Sequence, residues 1–271
     1  MKNDYEERAP EAPLVIKIGG STLDALPTVV DEVAALWHAG HTPVIVHGGG
    51  PIINAWLQRM GITPRFSSGR RITDIATLDV VRAVMVGQIN SEIIRKLGER
   101  GCAAIGITGL DGGLLQAEQA WPELGLVGRV TAIDTTCIDL IRHAHFIPVI
   151  APLGLSPSGE CLNINADDAA LAIAQALHAA ELLFLSDVAG IYDAQGQTLS
   201  TITPARAQEL IAAGIIKGGM IPKVEACLAA LNDIGAVRII DGAIPNGISQ
   251  ACAEGTRFVR REPASMISKS A

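Results

Sequence analysis

Leu14-Val-Ile-Lys-Ile-Gly-Gly-Ser-Thr22 reads as a buried strand that breaks at a glycine turn. The apolar run Leu14 to Ile18 carries one charge, Lys17. Thr28 then caps a helix with Val29, Val33, Leu36 and Trp37 on one face, ended by Gly40. Pro43-Val-Ile-Val-His47 repeats the strand and Gly48-Gly-Gly50 repeats the turn. Pro51 suits the first turn of a second helix, which ends near Gly61. Strand, helix, strand, helix is the pattern of a parallel sheet with covering helices.

The pattern continues outward. Thr63 to Thr73 is a β-rich excursion carrying Arg65, Arg70 and Arg71. A long helix fits Asp74 to Glu99, with Val81, Met85, Ile89, Ile93 and Leu97 on one stripe. Ala103 to Ile107 is a strand, and Gly109 to Thr131 suggests hairpins. A helix at Thr135 to His143 and a strand at Phe146 to Ala151 precede a Pro/Gly/Ser-rich connection, Pro152 to Gly159. An apolar helix spans Ala166 to Leu177. Beyond it come a strand at Leu182 to Ser186, helices near Pro204 to Ala213 and Ile221 to Asn232, a strand at Val237 to Asp241, and a helix near Pro245 to Ala253. The division falls near residue 180 with the sheet continuous across it, giving lobes 1–180 and 181–271.

Bulk properties agree with an α/β protein. The 271 residues are 49% apolar and only 3% aromatic, so Val, Ile, Leu and Ala must build the core. Net charge is -7, and no clustered basic face marks a nucleic-acid partner. Five scattered cysteines, with no metal-ligand spacing and an odd count, argue against a disulfide framework. Met1 to Pro13 has no apolar signal region, and no apolar run is long enough to span a membrane. A cytoplasmic protein is expected.

Several residues carry possible chemistry. Lys17 must reach the end of its strand or an anion. The bare N–H groups of Gly19 and Gly20 beside it suit a phosphate; an edge lysine that snorkels to solvent is the alternative. Gly48-Gly-Gly50 lets a ligand lie on the backbone at a helix start, or is a plain turn. Arg70 and Arg71 can grip a carboxylate or stay solvated. Asn163-Ile-Asn-Ala-Asp-Asp168 places amides and carboxylates at a helix mouth. There Asn165 or Asp167 can simply cap the helix. Lys223 follows Gly218 and Gly219 at another helix start, where a cation needs an anion nearby; a solvent-facing lysine is the alternative. His47 is read as structural. Two lysines at glycine turns, one in each half, with an acid junction between them, meet the needs of phosphoryl transfer.

In chain order, Lys17-Ile-Gly-Gly20, His47-Gly-Gly-Gly50, Gly69-Arg-Arg-Ile-Thr-Asp74, Asn163-Ile-Asn-Ala-Asp-Asp168, Leu183-Phe-Leu-Ser-Asp-Val188 and Gly218-Gly-Met-Ile-Pro-Lys223 resemble the signatures of the N-acetyl-L-glutamate kinases, a branch of the amino acid kinase family. The resemblance runs from about residue 14 to 256. It implies an open three-layer α/β/α sandwich around a mostly parallel sheet, two lobes sharing one sheet. The first lobe would hold N-acetyl-L-glutamate and the second ATP. Lys17 and Lys223 would stabilise the transferring group, with Asp167 holding both. Gly49, Gly50, Arg71 and Asn163 would bind the acceptor. Ser186, Asp187, Val188, Ala189, Gly190 and Ile191, with Ile215 to Gly219, would line the nucleotide site. Mg²⁺ would travel on the ATP phosphates, with no dedicated metal site.

The chain departs from the family pattern in two places. Its leader before Lys17 is short for the extra N-terminal helix of the arginine-inhibited hexamers. Arg238-Ile-Ile-Asp-Gly-Ala243 lacks the flanking His and Arg expected there. Both argue against feedback inhibition rather than against catalysis, and the short leader points to a homodimer that arginine does not inhibit. One alternative is a kinase of carrier-protein-bound aminoadipate or glutamate, which would want a basic acceptor mouth. Another is a non-catalytic amino-acid sensor, against which the full set of charged positions argues.

Overall fold

The computed structural model describes residues 12–67, 69–217, 220–248 and 255–261. The leader, Gly218 and Gly219, and 249–253 of the expected last helix lie outside the described residues.

β1 (Leu14–Ile18) leads through a 3-10 turn into α1 (Leu26–His38), then β2 (Val44–His47) and α2 (Gly50–Arg59). The hairpin of β3 (Phe66–Ser67) and β4 (Arg70–Arg71) follows. Next, α3 (Ile75–Arg82), a π-helical stretch (Ala83–Asn90) and α4 (Ser91–Glu99) run end to end. β5 (Ala104–Thr108) precedes antiparallel β6 (Leu115–Gln119) and β7 (Val127–Ile133), then α5 (Thr136–His143) and β8 (Ile147–Ala151). β9 (Leu153–Leu155), β10 (Cys161–Ile164), α6 (Ala166–Ala176) and β11 (Glu181–Ser186) lead into the last quarter. That part holds β12 (Thr201–Ile202), α7 (Pro204–Ala212), α8 (Met220–Ala230), β13 (Val237–Asp241) and β14 (Thr256–Phe258).

One sheet, in the order β12-β14-β13-β11-β1-β2-β8-β5, crosses the whole molecule. From β13 to β5 every pairing is parallel; only β13 with β14 is antiparallel. Alternation along each strand sorts the two cores. Val15, Phe184 and Ile239 pack with Ile138 of α5, Ile173 of α6, Leu210 of α7 and Val224 of α8. Ile16, Leu185 and Ile240 pack with Val33 of α1, Leu57 of α2 and Leu97 of α4. The expected stripe Val81, Met85, Ile89, Ile93 and Leu97 is buried throughout in this second core. Lys17 shares the face of Val15, under α6. The chain steps from β1 to β2 on one side and places β11 on the other, so β1 is the switch point of the sheet.

Four short strands, β10, β7, β6 and β9, close into a small barrel. It delivers Asn163 and then α6 to the end of β1.

Some expectations need correction. Thr28 does not cap α1: the helix starts at Leu26, with Ala25 before it and Pro27 in its first turn. Proline's fixed φ suits that turn, so the start moves ahead of the threonine. The Pro152 to Gly159 connection contains β9, whose backbone pairs with β6 and β10. The described start of the helix expected at Pro245 forms turns instead, with Asn246 at φ 61, a left-handed conformation that a helix cannot use. Among the described residues, Cys102, Cys137, Cys161 and Cys227 are free thiols, and no helix is long and apolar enough to cross a membrane.

Candidate active site

Three strand ends meet at one edge. β1 ends at Gly19 and Gly20, β2 at Gly48 to Gly50, and β11 at Ser186. The two glycine turns touch. A Cβ on Gly20 would lie 2.7 Å from the Gly50 nitrogen and 2.8 Å from Pro51 Cδ. A Cβ on Gly49 would meet the ends of the Ile89 and Met85 side chains. At Gly20, where the clash is with backbone, only glycine admits this approach, which leaves peptide N–H groups bare beside a helix start.

Lys17 leaves β1 toward this edge. Its Nζ lies 2.7 Å from Asp167 Oδ1, a short ion pair rather than an aligned hydrogen bond. Lys223 arrives from α8, in the other half of the chain, with its Nζ 3.3 Å from Asp167 Oδ2. Its ammonium also lies 5.2 Å from the Phe184 ring centroid. One carboxylate therefore bridges two cations that the sequence separates by most of its length. Burial opposes ionisation of Asp167, but Lys17 and Lys223 outweigh it and hold the carboxyl below its ordinary range. The cap reading of the same stretch also holds, through another residue. Asn165 Oδ1 accepts from the backbone N–H groups of Asp167 (2.8 Å) and Asp168 (3.2 Å). With the helix start capped by Asn165, the Asp167 carboxylate is left to the lysines.

On the other side, Gly20, Gly49, Gly50, Arg71 and Asn163 line an open cleft with a cavity volume of about 180 Å³. Arg71 is buried. Its Nη2 donates to Gly50 O at 3.3 Å, its guanidinium lies 4.7 Å from the Phe66 ring centroid, and its Nη1 has no protein partner. Burial lowers its pKa from the usual arginine value, yet a guanidinium stays charged in proteins. A buried cationic donor with a free N–H is costly unless an anion completes it. Asn163 Nδ2 donates to Thr73 Oγ1 at 3.1 Å, and that hydroxyl donates to Arg71 O at 2.8 Å. Thr73, which the sequence reading passed over, is fully buried and ties the two acceptor-side residues together. Its only sequence signal is its place two residues after Arg71.

The Ser186 to Ile191 segment is divided. Ser186 closes β11 and its Oγ donates to Asp187 Oδ1 at 3.3 Å. Val188 is exposed, while Ile191 is buried and its N–H donates to Thr256 Oγ1 at 2.8 Å. Ala189 and Gly190 connect them; a Cβ on Gly190 would meet Thr256 Oγ1 at 2.5 Å. Thus the first half of the segment is open to a ligand and the second half is anchored in the protein.

His47 is buried and neutral. Its Nδ1 donates to Gly48 O (3.1 Å), so its Nε2 accepts from Asn90 Nδ2 (3.1 Å), which also donates to Val149 O (2.9 Å). Desolvation lowers its pKa to about 4, against a smaller raising effect of the Gly48 carbonyl. The folded pKa lies below the unfolded value, so protons favour the unfolded chain. Stability from this site is intact above pH ~6.5 and is lost as pH falls toward 4, by on the order of 3 kcal/mol. Urea unfolding at pH 7, 5.5 and 4.5 should show that decline. His47→Gln should be weaker at pH 7 but show a shallower slope. Parallel slopes in the two proteins would remove His47 from the account.

The sequence model of the amino acid kinase family matches residues 12–241. The chain belongs to the amino acid kinase family, and is a kinase enzyme. The kinase family implies use of ATP. Within the family, the chain is similar to the acetylglutamate kinase of Ruegeria pomeroyi, 43% identical over 251 residues, covering 90% of this chain and 86% of that protein. It superposes on smu.665 from Streptococcus mutans UA159 with a TM-score of 0.79 at 30% identity, covering 92% and 98% of the two chains. It shares its fold with Giardia carbamate kinase, TM-score 0.70 at 16% identity, covering 93% and 100%.

Proposed function

We propose that the chain transfers the γ-phosphoryl group of ATP to the side-chain carboxylate of N-acetyl-L-glutamate, giving N-acetyl-L-glutamyl 5-phosphate and ADP, an early step of arginine biosynthesis. The relatives of about 40% identity support the substrate. The observation that carries the chemistry is Asp167 bridging Lys17 and Lys223.

Arg71, Asn163 and the backbone of Gly49 and Gly50 hold the acceptor, with Arg71 on a carboxylate. The ionised acceptor oxygen forms its bond to the γ-phosphorus as the bond to ADP breaks; no proton need move. Negative charge spreads over the non-bridging oxygens, where Lys17 and Lys223 meet it from two sides. Asp167 keeps both ammonium groups in place. Gly19, Gly20 and Ser186 to Ile191, with Gly218 and Gly219, take the nucleotide. Mg²⁺ supplies charge neutralisation on the ATP phosphates. Its ligands would come from those phosphates, since Asp167 is engaged by two lysines. Residues 1–180 form the acceptor lobe and 181–271 the ATP lobe.

A coupled assay should show ADP release with N-acetylglutamate and far less with free glutamate, whose ammonium replaces the amide. Hydroxylamine should trap the acyl phosphate as a hydroxamate. Equal rates with both amino acids, or turnover only with a carrier-bound acceptor, would reject the assignment.

The working unit is a cytoplasmic homodimer. β5 is the sheet's outer strand and leaves Ile105 exposed, a surface that a second copy can cover. Light scattering should give twice the chain mass of 28.3 kDa; a monomer at micromolar concentration would contradict it.

A further inference from the structure

The first turn of α6 carries two adjacent acids that serve different sides of the cleft. Asp167 goes to the lysines. Asp168 Oδ2 lies 2.8 Å from Arg70 Nη2. The Arg70 guanidinium also lies 4.3 Å from the Trp121 ring centroid. Arg70 is the neighbour of Arg71 on β4, in a hairpin of two residues per strand. So small a hairpin is marginal by itself. Its base is held where Thr73 exchanges backbone bonds with Leu124 (2.8 Å) and Leu126 (2.7 Å). Among the described residues of its far part, Phe66 to Arg71, the ties to the rest of the chain are the long Arg71–Gly50 bond, the Thr73 hydroxyl on Arg71 O, and the contacts of Arg70.

We propose that Asp168 and Trp121, acting through Arg70, are positioning residues that hold the β3–β4 hairpin, and with it Arg71, over the acceptor cleft. Arg70 is gripped on one side by charge and on another by an aromatic face, unlike a solvated arginine. Because Asp168 stands next to Asp167, the same helix start fixes the acceptor hairpin and the cation pair at once. A free acceptor then meets an Arg71 already in place, which lowers the ordering cost of binding. The contact is partly exposed, so each element contributes modestly and is screened by salt.

The kinetic part of the test rests on the acceptor reading above. Asp168→Asn and Trp121→Leu should each raise KM for N-acetylglutamate about two- to fivefold, with kcat and KM for ATP unmoved. The double variant should show less than the product of the two effects, since both act through Arg70. Asp168→Glu should recover part of the loss. Raising the ionic strength should raise the acceptor KM of the parent protein more than that of Asp168→Asn. A second readout needs no turnover. Trypsin cleavage after Arg65, at the exposed foot of the hairpin, should be several-fold faster in both variants than in the parent. Unchanged acceptor KM with unchanged cleavage, even with a lowered melting temperature, would overturn the proposal. So would a fall in kcat at constant KM. If the parent releases no ADP with N-acetylglutamate, the acceptor reading fails instead, and the cleavage rates alone decide the clamp.

Discussion

Lys17→Arg, Lys223→Arg and Asp167→Asn should each lower kcat by about 10²-fold or more, while the dissociation constant for N-acetylglutamate changes little. Each lysine comes from a different half of the chain, and each lies within 3.3 Å of the same carboxylate. An ammonium that meets charge only as the bond to ADP loosens contributes more in the transition state than in the ground state. Arginine keeps the charge but carries it on a longer, planar fork that cannot occupy the same point. Asp167→Asn keeps the shape and removes the counter-charge, so two cations are left close together and repel. Acceptor binding should survive, because among the described residues the hydrogen bonds of Arg71 and Asn163 go to Gly50 and Thr73 rather than to Asp167. Single-turnover rates separate the outcomes. A near-parental kcat with a raised KM in any of the three would reduce that residue to a substrate ligand.

Much of this arrangement was legible because it rests on local patterns. β1 and β13 appear with the expected limits, since an apolar run flanked by breakers has little freedom. The Val81 to Leu97 stripe is buried along its whole length although its middle, Ala83 to Asn90, is π-helical. A step of four residues throughout fits an α-helix and a widened helix alike, so it cannot report that the middle is π-helical. β9 and β10 were hidden for a different reason. Leu153-Gly-Leu155 has no strand signature of its own; its pairing is dictated by Gln116 and by Cys161 to Asn163.

At the site, the residues alone pointed to two lysines at glycine turns with an acid junction between them, and the family resemblance implied that Asp167 holds both. The fold supplies the physical route: β1 places Lys17 under α6, and α8 brings Lys223 over Phe184 to the same carboxylate. Thr73, Trp121 and Asp168 gave no comparable signal. Their contacts depend on a hairpin, a barrel loop and a helix start that meet only in the folded chain. Asp168 was also masked by its neighbour, since two acids at a helix start are ordinary complements of the macrodipole.

Arg71→Leu should cut kcat/KM for the acceptor by roughly 10²- to 10³-fold, the loss expected when one partner of a buried charge pair is removed. Its guanidinium is buried, makes one long bond to Gly50 O, and leaves Nη1 with no protein partner. In the ligand-free protein that N–H is a liability. Removing it should therefore leave the melting temperature equal or higher, the opposite of what loss of a structural core residue does. With acceptor present the order reverses, because only the parent protein gains the ligand's stabilisation. Arg71→Lys should fall between, since an ammonium supplies charge without the two-pronged geometry and gives up the stacking on Phe66. Calorimetric titration of N-acetylglutamate, alongside melting curves with and without it, tests both halves. A parental dissociation constant in Arg71→Leu, or a ligand-free melting temperature several degrees lower, would place Arg71 in the framework of the hairpin rather than on the acceptor's carboxylate.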